Sequence, residues 1–68
     1  MNFSIFTLPD GRIYAQFPKD ISDARVGHPY RLPAVDGVSM GTIVPSDISR
    51  QWTAGGCSTT LIGAMAAE

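Results

Sequence analysis

The sequence predicts a mainly β fold: a small sandwich or barrel-like domain with two short helical turns, built from two similar β-hairpin units. Two observations carry this. Asp10-Gly11, the apolar run Arg12–Phe17 and Pro18-Lys19-Asp20-Ile21-Ser22 are matched by Asp36-Gly37, Val38–Val44 and Pro45-Ser46-Asp47-Ile48-Ser49, with one inserted residue. Between the turn signals, apolar and polar residues alternate with the period of two that a strand requires. The 68 residues form a single domain over 1–68, with unit one at about 2–27, unit two at about 30–56 and a tail at 57–68.

Asn2–Leu8 is the first strand, with Phe3, Ile5 and Thr7 on one face and Phe6 and Leu8 on the other. Bulk on both faces places it centrally or under cover. Pro9-Asp10-Gly11 makes a turn, since Pro presets φ and Gly accepts positive φ. Arg12–Phe17 returns as the second strand of a hairpin, with Ile13, Ala15 and Phe17 inward and Arg12, Tyr14 and Gln16 outward. Pro18 ends it, because proline donates nothing to a ladder. Asp20 then caps a helix of at most two turns to Arg25, closed by Gly27, or the same residues form a polar turn.

Gly27-His28-Pro29 is a loop. Tyr30–Val35 is a strand broken by Pro33 and so lies at an edge or a bulge. Asp36-Gly37 turns into the fourth strand, Val38–Val44, which Gly41 weakens and Pro45 stops. Ser46 or Asp47 caps a second short helix over Ile48–Trp52, and Gly55-Gly56 ends it. In the tail, Thr59-Thr60-Leu61-Ile62 favours a strand and Ala64-Met65-Ala66-Ala67 a helix.

Composition narrows the function. A chain this short buries only about 60% of the surface its unfolded form exposes, so it leans on added support. One cysteine, Cys57, allows no internal disulfide, and Cys57 with the single His28 cannot build a four-ligand zinc site from thiols and imidazoles alone. Self-association or a partner remains. The lone thiol points to a reducing, cytoplasmic setting. A net charge of −1, with no run of like charge, argues against nucleic acid as partner. No basic segment followed by an apolar core marks a signal peptide, and no apolar stretch approaches the roughly 20 residues of a membrane span. Apolar residues make up 44% and charged residues 16%, which favours a surface that meets protein.

No catalytic group, metal site or cofactor is assigned. Cys57 beside Gly55-Gly56 would need His28 as its base, and nothing in the spacing brings them together; a small buried thiol is the preferred reading. The turns account for Asp10 and Asp36, and the helix starts for Asp20 and Asp47. Gly55-Gly56-Cys57-Ser58-Thr59 lacks the lysine and spacing of a phosphate loop. The candidate partner-binding residues are Phe6, Leu8, Arg25, His28, Tyr30, Arg31 and Trp52. Arg25, His28 and Arg31 form a local basic cluster beside Tyr30, with the ring of His28 facing solvent. Trp52 is either a hot-spot anchor or, the preferred reading in so small a chain, a plug for the core.

Gly11-Arg12-Ile13, Phe17-Pro18-Lys19-Asp20-Ile21 and Val26-Gly27, and more faintly Thr42 to Gly56, resemble the strand–Pro–short helix–Gly core of the AbrB/MazE swapped-hairpin family. The resemblance covers under half the chain. It implies a dimeric transcription regulator or a toxin-binding antitoxin. The leading expectation is a non-enzymatic protein-interaction or assembly module. By size and composition it would suit a phage structural or decoration protein, or a small inhibitor of a host protein. Such a module would act in the cytoplasm or within a virion, as a homo-oligomer or on a protein partner, without cofactor or membrane.

Overall fold

The computed structural model describes residues 3–66. Met1 and Asn2, at the start of the predicted first strand and unit, and Ala67 and Glu68, at the end of the predicted tail, lie outside them. The chain is mainly β, as expected. Strands β1 (Ser4–Thr7), β2 (Ile13–Phe17), β3 (Tyr30–Arg31), β4 (Thr42–Thr53) and β5 (Gly56–Met65) form one antiparallel sheet in the order β1-β2-β5-β4-β3. These strands make a single sheet in place of a two-sheet sandwich, and it curves enough that Tyr30 of β3 meets Phe17 of β2 edge-on at 6.2 Å. Its second layer is the connecting chain from Pro18 to Gly41, which supplies Ile21, Ala24, Leu32 and Met40 to the core.

The first hairpin forms as expected. Leu8 N–H donates to the Arg12 carbonyl (2.7 Å), and Gly11 N–H donates to the Leu8 carbonyl (2.9 Å). The loop therefore has three residues, Pro9, Asp10 and Gly11, with Gly11 at φ +90°, a conformation that glycine adopts without strain. Asp10 locks the turn: its carboxylate accepts from Arg12 N–H (3.0 Å) and from Arg12 Nε (2.7 Å). Ile13, Ala15 and Phe17 point inward as the alternation requires, and Phe3 stacks on Phe17 with centroids 5.0 Å apart. However, β1 is an edge strand, not a central one, and the outward face of Phe6 has no cover.

Asp36-Gly37 also turns as expected. Val35 and Val38 exchange both backbone bonds across it (3.0 and 2.9 Å), and φ is positive at both Asp36 (+51°) and Gly37 (+77°). That is the mirror-image turn whose twist suits two-residue hairpins.

Neither predicted helix forms: among the described residues there is no helix. Asp20–Arg25 is a set of turns, because side chains from the sheet take up its backbone groups. Ile21 N–H donates to Thr59 Oγ1 (3.0 Å), and the Thr59 hydroxyl donates to the Lys19 carbonyl (2.9 Å). Arg50 Nη2 donates to the Ile21 carbonyl (2.8 Å), and Arg50 Nε pairs with Asp20 (2.9 Å). The Pro18–Gly27 stretch that resembles the swapped-hairpin family therefore does not adopt the strand–helix arrangement of that family.

Pro45 does not stop the fourth strand, and Ile48–Trp52 continues as strand. The Pro45 carbonyl accepts from Gly27 N–H (2.8 Å), on the side away from β5. N–H and C=O of one strand residue point the same way, so the missing proline N–H removes no bond to β5. A bulge follows: Pro45 opposes Gly63, Asp47 opposes Ile62, and Ser46 is the extra residue. Gly63 is required there, since a Cβ would lie 2.1 Å from the Val44 carbonyl oxygen. Gly55-Gly56 ends no helix: Gly55 sits with Ala54 in the turn joining β4 to β5, and Gly56 opens β5. The tail, whose strand or helix character was open, is strand β5 at the centre of the sheet.

Candidate interaction surfaces

The register sorts every strand residue onto one of two faces. The covered face carries Phe3, Ile5, Ala15, Phe17, Leu61, Ile43 and Ile48, and it continues through Arg50 and Thr59 to Trp52 and Cys57. On the opposite face the pairings Phe6–Tyr14, Tyr14–Ile62 and Ile62–Asp47 make one row across four strands. The row beside it holds Ala64 opposite Val44, and the row on its other side holds Ser4, Gln16, Thr60 and Ser49. Phe6, Tyr14, Ile62, Val44 and Ala64 thus form an apolar stripe, with Phe6 58% exposed and its ring 6.1 Å from that of Tyr14. Among the described residues the core lies on the other face.

The β4–β5 hairpin outruns its neighbours. Pairing of β2 with β5 ends at Phe17–Thr59, and pairing of β3 with β4 spans only Tyr30–Ile43 and Arg31–Thr42. Residues beyond Arg50 and Thr59 are a two-stranded ribbon. Trp52 stands on it opposite Cys57 and is 72% exposed, so it is not the core plug that the sequence suggested. Phe17, Ile43 and Leu61 fill that role, each fully buried. Cys57 is half-buried, a small thiol beside the turn.

The predicted partner-binding residues do not form one site. Phe6 and Leu8 lie at the β1 edge, Arg25, His28, Tyr30 and Arg31 at or beside β3 on the opposite edge, and Trp52 on the ribbon. Arg25, His28 and Arg31 are exposed, the imidazole of His28 with them. Tyr30 is half-buried, edge-on to Phe17 at 6.2 Å. Burial, and secondarily the negative charge of Asp23, hold its hydroxyl above the ordinary tyrosine range. Asp10 lies below its ordinary value, chiefly through the bond from Arg12 N–H and then through the Arg12 side chain.

A cleft of about 290 Å3 lies where β2 ends, lined by Phe3, Ser4, Gln16, Phe17, Pro18 and Ser58. Hydroxyls and an amide are its only polar side chains, so it can hydrogen-bond a ligand but presents no titratable group for proton transfer. Among the described residues no three His, Cys, Asp or Glu side chains gather as a metal site, and no helix is long and apolar enough to cross a membrane.

Sequence reading placed Tyr14 outward but named neither it nor Val44, Ile62 and Ala64 as interaction residues. The alternation of Thr60, Ile62 and Ala64 with Thr59, Leu61 and Gly63 was the available signal, but the tail's strand or helix character was left open. No family model, curated protein or solved structure matches the chain.

Proposed function

We propose that the chain is a non-enzymatic protein-interaction or assembly module that works through the uncovered face of its sheet. One observation carries this reading: the stripe Phe6–Tyr14–Ile62 with Val44 and Ala64, on the face away from the core among the described residues. Apolar rows on a solvated sheet face are commonly contact surfaces, and aromatic residues dominate contact energies. Trp52 on the projecting ribbon offers a second anchor of the same kind. The part played, whether virion component, decoration protein or inhibitor of a host protein, depends on the partner.

The test compares wild type with Phe6→Ser/Ile62→Thr and with Trp52→Ser. Light scattering reads self-association, and cross-linking in the native source followed by mass spectrometry reads partners. The expected result is an association that the double variant weakens while its circular dichroism stays unchanged. A wild-type chain that neither self-associates nor cross-links specifically would overturn the proposal.

A further inference from the structure

We infer that the partner at the β1 edge is a second copy of this chain, paired antiparallel about a two-fold axis at Ile5. The inference rests on the assembly reading above and makes it specific.

The bond from Leu8 N–H to the Arg12 carbonyl fixes the ladder's phase. Leu8–Arg12 is a hydrogen-bonded pair, so Phe6–Tyr14 and Ser4–Gln16 are hydrogen-bonded pairs as well. The N–H and C=O groups of Phe3, Ile5 and Thr7 therefore point away from β2. No turn or loop backbone among the described residues bonds to them. Three outward donor–acceptor pairs in a row match the spacing of an added extended strand.

The two edges of the sheet are treated differently. The β3 edge is two residues long, carries Arg31 and is flanked by Pro29 and Pro33. These are standard guards against strand addition. The β1 edge is guarded less: Phe3–Leu8 contains no charge, no proline and no bulge, and Pro9 follows only where the turn begins. Its neutrality suits a second copy. A charged partner strand finds no countercharge along this edge, whereas an identical edge meets it without repulsion.

The outward groups are also symmetric about Ile5. With Ile5 opposite its own copy, Phe3 faces Thr7 of the other chain at both ends, and every outward group from Phe3 to Thr7 finds a partner. Ile5, half-buried at the border of the core, would meet its copy there and join the two cores. Phe6 would lie across from Ser4 of the second chain, so each apolar stripe would meet the polar row of the other chain, with the two stripes offset by one row in a ten-stranded sheet. Pairing of this kind combines backbone hydrogen bonds with burial of flanking side chains.

Proline at position 7 removes one outward N–H and no bond to β2. Wild type, Thr7→Pro and Thr7→Lys are compared by light scattering over a dilution series, with circular dichroism to confirm folding. Amide hydrogen exchange is followed at Ile5, Phe6 and Thr7. The expected result is a doubled mass for wild type and protection of Ile5 and Thr7 that disappears on dilution, while Phe6 stays protected. Each variant should raise the dimer dissociation constant about tenfold or more; the lysine variant serves if the proline variant does not fold. A dimer whose Ile5 and Thr7 amides exchange freely would overturn the edge pairing and leave the assembly reading standing. A wild-type monomer that cross-links to another protein would do the same. A monomer with no partner would overturn both.

Discussion

Thr59 shows how a single hydroxyl orders a segment that has no regular structure of its own. Fully buried, it accepts from Ile21 N–H and donates to the Lys19 carbonyl, and so holds the connecting chain onto the sheet. Thr59→Val keeps the shape but leaves a buried N–H without a partner, so urea denaturation should show a loss of about 2–3 kcal/mol. The neighbouring Asp20–Arg50 ion pair is over a third exposed, so Asp20→Asn should cost less than about 1 kcal/mol. Tyr30 makes stability depend on alkaline pH. Its raised folded-state pKa means that the folded chain resists ionisation more than the unfolded chain does. The contribution is whole below the ordinary value of 10.0 and is lost as pH rises through it and beyond. Denaturation midpoints measured across that range should fall more steeply for wild type than for Tyr30→Phe.

Among the elements, the first hairpin was the most legible. Alternation from Phe3 to Phe17 and the Pro-Asp-Gly loop are local signals; both strands followed from them, and so did the inward residues of the second, while bulk on both faces of the first hid its edge position. The long hairpin was not legible, because its decisive features are non-local. Pro45 is tolerated where Gly27 takes its carbonyl and where Gly63 clears space on the neighbouring strand. Asp20 and Asp47 were read as helix caps; the tertiary partners that prevent a helix after Pro18, Arg50 and Thr59, come from residues distant in sequence. The similarity of the two Pro-x-Asp-Ile-Ser stops is therefore one of sequence: the first leaves the sheet and the second runs through it. Candidate surface residues were named at Phe6 and Trp52 but missed on β5, whose register only the assembled sheet defines. The exposure of Trp52 gives a direct check at this scale. Trp52→Ser should change stability by less than about 0.5 kcal/mol, whereas a core tryptophan would cost several. Urea denaturation decides between them. Cys57→Ser, at a half-buried site, should cost no more than about 1–2 kcal/mol and leave association intact, as light scattering would show.

As a whole molecule, the chain is a sheet with one clothed side and one bare side. A folded state that associates is stabilised by mass action, so its melting temperature should rise with protein concentration. Calorimetry over a hundredfold dilution would check this, and the dependence should flatten in Phe6→Ser/Ile62→Thr.

The strand order has a kinetic consequence. β1 with β2, and β4 with β5, are neighbours in the chain, and hairpins of that kind close in about 1–10 μs. The joint between them, β2 against β5, pairs residues distant in sequence, such as Phe17 with Thr59, and the contact of Lys19 with Thr59 just past its end spans 40 positions. That joint requires a long loop to close before any contact rewards it. Docking of two preformed hairpins is then the slow event of folding. A chain cleaved between Pro33 and Met40 would retain both hairpins as separate pieces, and the cut would turn that slow event into a bimolecular one.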